Sequence, residues 1–323
     1  MTINVSRRSL LALGAGLGAS TMLGGSALAR APKIGTQTPY WHRFNLGDAE
    51  VTIVSDGPLP LGPPKGTFVG VPDDEVKKML TDNFLSPDNV VLEQNSPIVN
   101  TGEKLILFDT GMGTLKAFGP TTGRQQTSMA EAGIKPGDID AVVLTHAHID
   151  HIGGIVDAND KPLFANAQYY ITQSDFDFWT DESKAGGPLK DFIVHARKNL
   201  LPVRDRIVFI KDGQEFLPGV QAIAAPGHTV GHTIFMVTSA GKSFCFLGDL
   251  SHHAVLLLEK PRMEFSYDTD PKQSAQTRVK MLTMLAANKT PVMSYHFAWP
   301  GYGHVAKAGE GFHYYPEPMN MLL

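Results

Sequence analysis

Short apolar runs bounded by Gly, Pro, Asp or Asn recur along the whole chain. Eight of them read as strands, at residues 51–54, 104–108, 141–144, 168–171, 206–210, 233–237, 243–247 and 291–294. Each is brief and rich in β-branched or aromatic residues, which suits a half-buried or fully buried pleat. Helical spacing falls between them, at 72–84, 127–132, 188–200 and 270–287. The first of these opens on Pro72 with Asp73, Asp74 and Glu75 in its first turn, a favourable end for acids. Strands outnumber helices early and late. That favours two mixed sheets with helices packed outside over a single doubly wound parallel sheet. Residues 57–72 carry Pro58, Pro60, Pro63, Pro64 and Pro72 among glycines, and are expected to form an irregular loop, either a plain connector or one overhanging a cleft.

Composition narrows the class. With 323 residues, 42% hydrophobic and only 19% charged, the chain can bury a substantial core and is not disordered. A formal net charge of −4 gives no basic field for nucleic acid. The single Cys245 rules out an intramolecular disulfide, so the fold must stand on its core. It lies in an apolar strand pattern and reads as a small buried hydrophobe.

Residues 1–29 read as an export signal rather than a domain. Arg7-Arg8 is a twin-arginine pair, followed by a glycine-broken apolar run and a small-residue site at Ala27-Leu28-Ala29. The run is too weakly apolar to make a stable membrane span of about 20 residues. The expected product is a single domain, 30–323, working in the periplasm or outside the cell. Removing Arg7 and Arg8 makes it two charges more negative than the precursor. A route that carries folded protein suits an enzyme that binds its metal before export.

The chemistry concentrates directly after the 141–144 run, in Thr145-His146-Ala147-His148-Ile149-Asp150-His151. Imidazole is a good ligand for zinc-like ions, and three His plus one Asp within six positions exceed ordinary usage. In extended geometry His146 and His148 project to one side, while Asp150 and His151 point elsewhere as the chain turns, so one loop can address two metals. Further ligand types stand at the ends of later apolar runs: His228 in Pro226-Gly227-His228, Asp249 in Leu247-Gly248-Asp249, and His296 in Ser294-Tyr295-His296. Strand-end loops are where sites are usually built.

These residues resemble the HxHxDH signature, Gly-His loop, strand-end Asp and final His of the metallo-β-lactamase-fold hydrolases, over nearly all of the chain beyond residue 29. The resemblance implies an αββα sandwich, two mixed β-sheets flanked by helices, with a dimetal site at the sheet edge. It implies that His146, His148 and His228 hold one divalent metal, that Asp150, His151 and His296 hold the second, and that Asp249 bridges them, zinc being the expected ion. Asp109 is similar to the family's buried brace for the ligand loop. His148 stands where flavodiiron proteins carry Glu, and position 249 is Asp rather than the Cys of many true β-lactamases.

Within the family, Ser55-Asp56-Gly57, Phe118-Gly119-Pro120, Asp177-Phe178-Trp179 and Trp299-Pro300-Gly301 resemble the methyl parathion hydrolase branch. Related lactonases share the metal motif, although many have a Tyr shortly after the bridging Asp where this chain has Leu250-Ser251-His252-His253. The implied enzyme is a metal-dependent hydrolase of a lactone, ester or phosphotriester, with Asp150 catalytic. An exported β-lactamase and a non-catalytic metal-binding protein are the alternatives. Phe118, Trp179 and His252 are the expected substrate contacts, for a small, neutral and partly apolar molecule. His232 is expected to pack behind the ligands rather than bind metal. Neither nucleic acid nor stable membrane insertion is expected, and a homodimer is allowed.

Overall fold

Alternation along each strand decides which core its side chains enter. In strand Leu105–Phe108, Ile106 and Phe108 face one apolar cluster while Leu107 faces another; strand Ala141–Val143 divides the same way, with Val142 opposite its two neighbours. A strand buried on both faces needs a layer on each side. In this computed structural model, which describes residues 40–319 together with Lys33, Gly35 and Gln37, both layers are present. The chain divides into Met1–Thr38 and Pro39–Leu323, and among the described residues every regular element lies in the second unit. The expected export signal, 1–29, lies outside the described residues.

Two seven-stranded sheets form the centre. The first runs in the order Trp41–Leu46, Ala49–Ser55, Asn95–Asn100, Leu105–Phe108, Ala141–Val143, Gln168–Thr172, Ile207–Ile210, antiparallel through its first four strands and parallel thereafter. The second runs Glu215–Leu217, Val220–Ala224, Thr233–Ser239, Lys242–Phe246, Val292–Met293, Tyr302–Ala308, Gly311–Pro316, with one parallel pairing, between Lys242–Phe246 and Val292–Met293. Between the sheets, Phe108 meets Phe235 and Phe246, each at 5.6 Å. On the far side of the first sheet, Val142, Tyr169 and Ile171 pack against Ile193, Ala196 and Leu200 of helix Lys190–Leu200. Beyond the second sheet, Ile234, Cys245 and Val292 pack against Met281, Leu282 and Leu285 of helix Pro271–Ala287. This is the αββα arrangement, and Cys245 is the buried hydrophobe its strand pattern indicated.

Helix Pro271–Ala287 starts where it does because the Asp270 carboxylate accepts the Gln273 N–H at 3.0 Å and Pro follows at the first turn. The 57–72 segment departs from the loop expected of it. Leu59–Gly62 pairs with Val90–Leu92, and Phe68–Val69 with Glu264–Phe265. Two-stranded ribbons are all edge, so Pro60 costs no interior hydrogen bond there. Leu59, Phe68 and Leu92 join Val76 and Leu80 of helix Asp73–Asp82 in a satellite core.

Candidate metal centre

Residues 146–151 leave the end of strand Ala141–Val143 and turn at once into the short helix Ile149–Ile152, with His148 at its cap. Asp109, at the end of the adjacent parallel strand, holds the turn. Its Oδ1 accepts the Thr145 N–H at 2.9 Å, and its Oδ2 accepts the Thr145 hydroxyl and the His151 Nδ1–H, both at 2.8 Å. Asp109 sits at φ 56, a left-handed conformation unfavourable for a residue with a Cβ, retained here by three hydrogen bonds. The Gly153-Gly154 pair lets the 109–113 backbone close in: a Cβ at Gly154 would stand 2.1 Å from the Thr110 carbonyl oxygen.

The remaining ligand types come from three strand ends of the second sheet. His228 Nδ1 donates to Asp268 at 2.8 Å, and His296 Nδ1 donates to the Glu93 carbonyl at 2.8 Å. Both rings thereby turn Nε2 inward. Asp249 is set by its own backbone, whose N–H is accepted by His232 Nε2 at 3.0 Å, while His232 Nδ1 donates to the Ala225 carbonyl at 3.0 Å. His232 therefore supports the loop instead of joining the cluster.

Asp249 lies at the centre. Its Oδ2 is 3.1 Å from His228 Nε2 and 3.8 Å from His146 Nε2; its Oδ1 is 3.2 Å from His151 Nε2 and 3.3 Å from His296 Nε2. Asp150 Oδ2 reaches the same two imidazoles at 3.4 and 3.6 Å. His146, His148, His228 and Asp249 bring one donor atom each within 4.8 Å of one another, and Asp150, His151 and His296 form a second such group. All seven expected ligand positions thus meet in one place.

The donor set fits divalent cations on physical grounds. His151 Nε2 and Asp249 Oδ1 are buried without a hydrogen-bond partner, and buried polar atoms are costly unless something ligates them. Burial works against the charge on Asp249, but the imidazoles of His151, His296, His252 and His228 hold it well below the ordinary carboxylate range. Asp150 experiences the same opposition and settles at about 2 under the influence of His151 and His296. Burial also lowers His146, helped by the neighbouring His151, so it presents a neutral ring. Carboxylates and imidazoles of this kind suit zinc or a similar ion.

Above the cluster lies a narrow cavity open to solvent. Leu59, Leu61, Leu92, Phe118 and Phe265 supply apolar wall, and Tyr267 stands beside Phe118 at 6.3 Å. His252 lines it too, with Nε2 3.0 Å from Asp249 Oδ2 and its ring stacked on Phe265 at 3.9 Å. The expected placement of Trp179 needs correction. It is only 1% exposed and does not line the cavity; it packs edge-on against His148 at 4.8 Å. Phe192 takes the wall position, in contact with both rings. A tryptophan is large enough to serve as core backing for a ligand, and sequence alone does not distinguish that from pocket lining.

Two buried acids escaped the sequence reading. Asp175 accepts the Ala147 N–H at 2.7 Å and the Gly231 N–H at 2.9 Å, linking the ligand loops of both sheets. Its one local signal is its place in the first turn of helix Gln173–Thr180, whose cap Thr172 accepts the Asp175 N–H. Asp268, the partner of His228, belongs to no motif.

Residues 90–293 match the family model described as the Metallo-beta-lactamase superfamily. The chain belongs to that superfamily. AidC, a dizinc quorum-quenching lactonase solved with a product bound, is 31% identical; the match covers 87% of this chain and 99% of AidC, at a TM-score of 0.81. The N-acyl homoserine lactonase of Bacillus cereus is 22% identical over 254 residues, covering 72% of this chain and 90% of that protein. A shorter match, 28% identical, to the Lactamase-like protein ptaB of Pestalotiopsis fici covers 49% of this chain and 40% of that protein. The protein is therefore a metallo-hydrolase of this superfamily with lactonases among its relatives.

Proposed function

We propose that the protein is a dizinc hydrolase that opens a neutral lactone carrying an apolar substituent. One observation carries the reading: five of the seven metal-ligand side chains, His148, Asp150, His228, Asp249 and His296, line a cavity whose walls are apolar and whose lining includes no Lys or Arg, with His146 and His151 buried behind them. A carboxylate-bearing β-lactam would find no Lys or Arg side chain there to pair with its carboxylate, whereas an uncharged ring with an acyl chain suits the apolar wall. The likeness to AidC supports the same substrate class. Esters and phosphotriesters are also neutral, and the similarity to the methyl parathion hydrolase branch keeps them in the test.

His146, His148 and His228 hold one ion in this proposal, Asp150, His151 and His296 the other, and Asp249 faces both. Bound there, divalent ions supply Lewis acidity and hydroxide near neutral pH. The protein's own part is positioning and proton handling. Asp150 Oδ2 is the oxygen nearest His151 and His296, which leaves Oδ1 to take a proton from the attacking water and pass it to the leaving alcohol. His252, which lines the cavity, orients the substrate's polar end, while Phe118 and Phe192 enclose the chain. N-hexanoyl homoserine lactone, an aryl ester, an organophosphate triester and a chromogenic cephalosporin form the deciding panel. The lactone is expected to show the highest kcat/KM, with loss on chelation. Turnover of another member with the lactone inert would reassign the substrate, and full activity in metal-free protein would refute the metal chemistry.

The same proposal places the enzyme outside the cytoplasm, delivered folded through the Arg7-Arg8 signal. Replacing both arginines by lysine should leave uncleaved precursor in the cytoplasm. Normal maturation of that variant would remove the twin-arginine route.

A further inference from the structure

Arg278 is fully buried in helix Pro271–Ala287, an unusual place for a guanidinium, and three of its four hydrogen bonds are directed at loops around the metal centre. Nε donates to the Leu250 carbonyl at 2.9 Å, next to the central Asp249. Nη1 donates to the carbonyls of Pro261 and Met263 at 3.1 and 2.8 Å, in the segment leading to the cavity wall at Phe265. Nη2 donates to Ser274 Oγ at 3.2 Å and lies 3.7 Å from Asp268 Oδ2. Asp268 Oδ1 in turn accepts from His228 Nδ1.

The backbone repeats the connection. Thr269 N–H donates to the His228 carbonyl and Asp270 N–H to the Gly227 carbonyl, both at 2.8 Å. Gly227, at φ 129, lies so close to the helix that a Cβ would stand 2.2 Å from the Ser274 nitrogen. The Gly227–His228 loop, residues 268–270 and the start of the helix therefore form one rigid piece, and Arg278 ties it to the Asp249 loop.

We infer that Asp268 and Arg278 are a positioning pair that fixes His228 and the Asp249 loop in register, and so sets the affinity of the metal position served by His146, His148 and His228. The inference rests on the dimetal reading of the site but not on the identity of its substrate. A carboxylate on the outer nitrogen of a ligating imidazole commits the inner nitrogen's lone pair to the metal and stops the ring from turning. The guanidinium supplies the buried carboxylate with its counter-charge, without which it would be costly to hold there.

Zinc retention against a competing chelator tests this without substrate, with melting curves in excess zinc showing that each variant is folded. Asp268→Ala should bind one of two zinc ions some 10–100-fold more weakly, the usual cost of losing such a partner. It should therefore keep one equivalent where the native protein keeps two. The near-isosteric Asp268→Asn should weaken the same ion less, and it decides the matter if the alanine variant does not fold. Arg278→Gln should weaken that ion and Arg278→Lys should restore part of the loss. If the folded Asp268 variants lose only melting temperature and keep both ions with native affinity, the pair is merely structural and the inference fails. A native protein that binds two zinc ions but spares the lactone would refute the proposed substrate and leave this result intact.

Discussion

The first sheet delivers four donors, His146, His148, Asp150 and His151, from one turn of chain after a single strand. The second delivers three, His228, Asp249 and His296, from three separate strand ends. Their supports differ accordingly. One carboxylate, Asp109, makes three of the hydrogen bonds that hold the first loop, on a strained backbone, while Asp175 accepts the Ala147 N–H and the Tyr295 hydroxyl donates to the Asp150 carbonyl. In the second sheet each ligand has its own support: Asp268 for His228, His232 for Asp249, the Glu93 carbonyl for His296. A compact loop concentrates most of its risk in one residue, while a dispersed set shares it among several. Such a set must rely on long-range packing for its register.

The largest expected effect follows from that concentration. Asp109→Ala leaves the Thr145 N–H, the Thr145 hydroxyl and His151 Nδ1 buried without their acceptor, and should cost about 3–5 kcal/mol in denaturant unfolding. His232→Leu, which removes one support in the second half, should cost about 1–3 kcal/mol. Equal losses would remove the asymmetry.

A smaller effect isolates the second half by pH. His253 is buried, and burial lowers its pKa from the ordinary 6.5 to about 4. Its Nδ1 accepts the N–H groups of Val255 and Leu256 at 3.2 and 3.1 Å, which requires the neutral ring. Because the folded value lies below the unfolded one, this contribution is fully present above pH 6.5 and is lost as pH falls through 4. With a chelator present, the native protein should lose roughly 2–3 kcal/mol more than His253→Asn between pH 7 and 4.5. Parallel pH profiles would show that this histidine is not the acid-sensitive point.

The smallest effect is confined to the cavity. Phe118→Ala removes apolar wall without touching a ligand, so KM for the hexanoyl lactone should rise about 3–10-fold with kcat unchanged. A fall in kcat at constant KM would place Phe118 among the groups that act on the reacting atoms.

The two halves were unequally legible in the sequence. The 146–151 loop announces itself because its donors are adjacent, whereas His228, Asp249 and His296 become convincing only as endings of apolar runs. All eight expected strands are present, because their central residues are apolar on both faces. Strands Trp41–Leu46, Asn95–Asn100, Tyr302–Ala308 and Gly311–Pro316 were not anticipated. They carry Asn, His, Lys or Pro, and their pairing comes from neighbours far along the chain. Asp175, Asp268 and Arg278 were illegible for a related reason. A lone charged residue looks like solvent-facing surface until the fold places partners around it.

The division between the sheets has one more consequence. Every strand of the first ends by Ile210 and every strand of the second begins at or after Glu215, so a short turn separates two consecutive stretches of chain, each owning one sheet. The donor set is divided along the same line, four before the turn and three after it. The site is therefore a joint between two successive segments, and a cation bound there acts as a fastener across the seam. Cutting the chain between residues 211 and 214 would sever the connection between the two sheets without breaking a strand. It would leave each fragment with an incomplete set of donors, so that a bound cation would add to the apolar packing and the Phe68–Val69 to Glu264–Phe265 pairing that join the two.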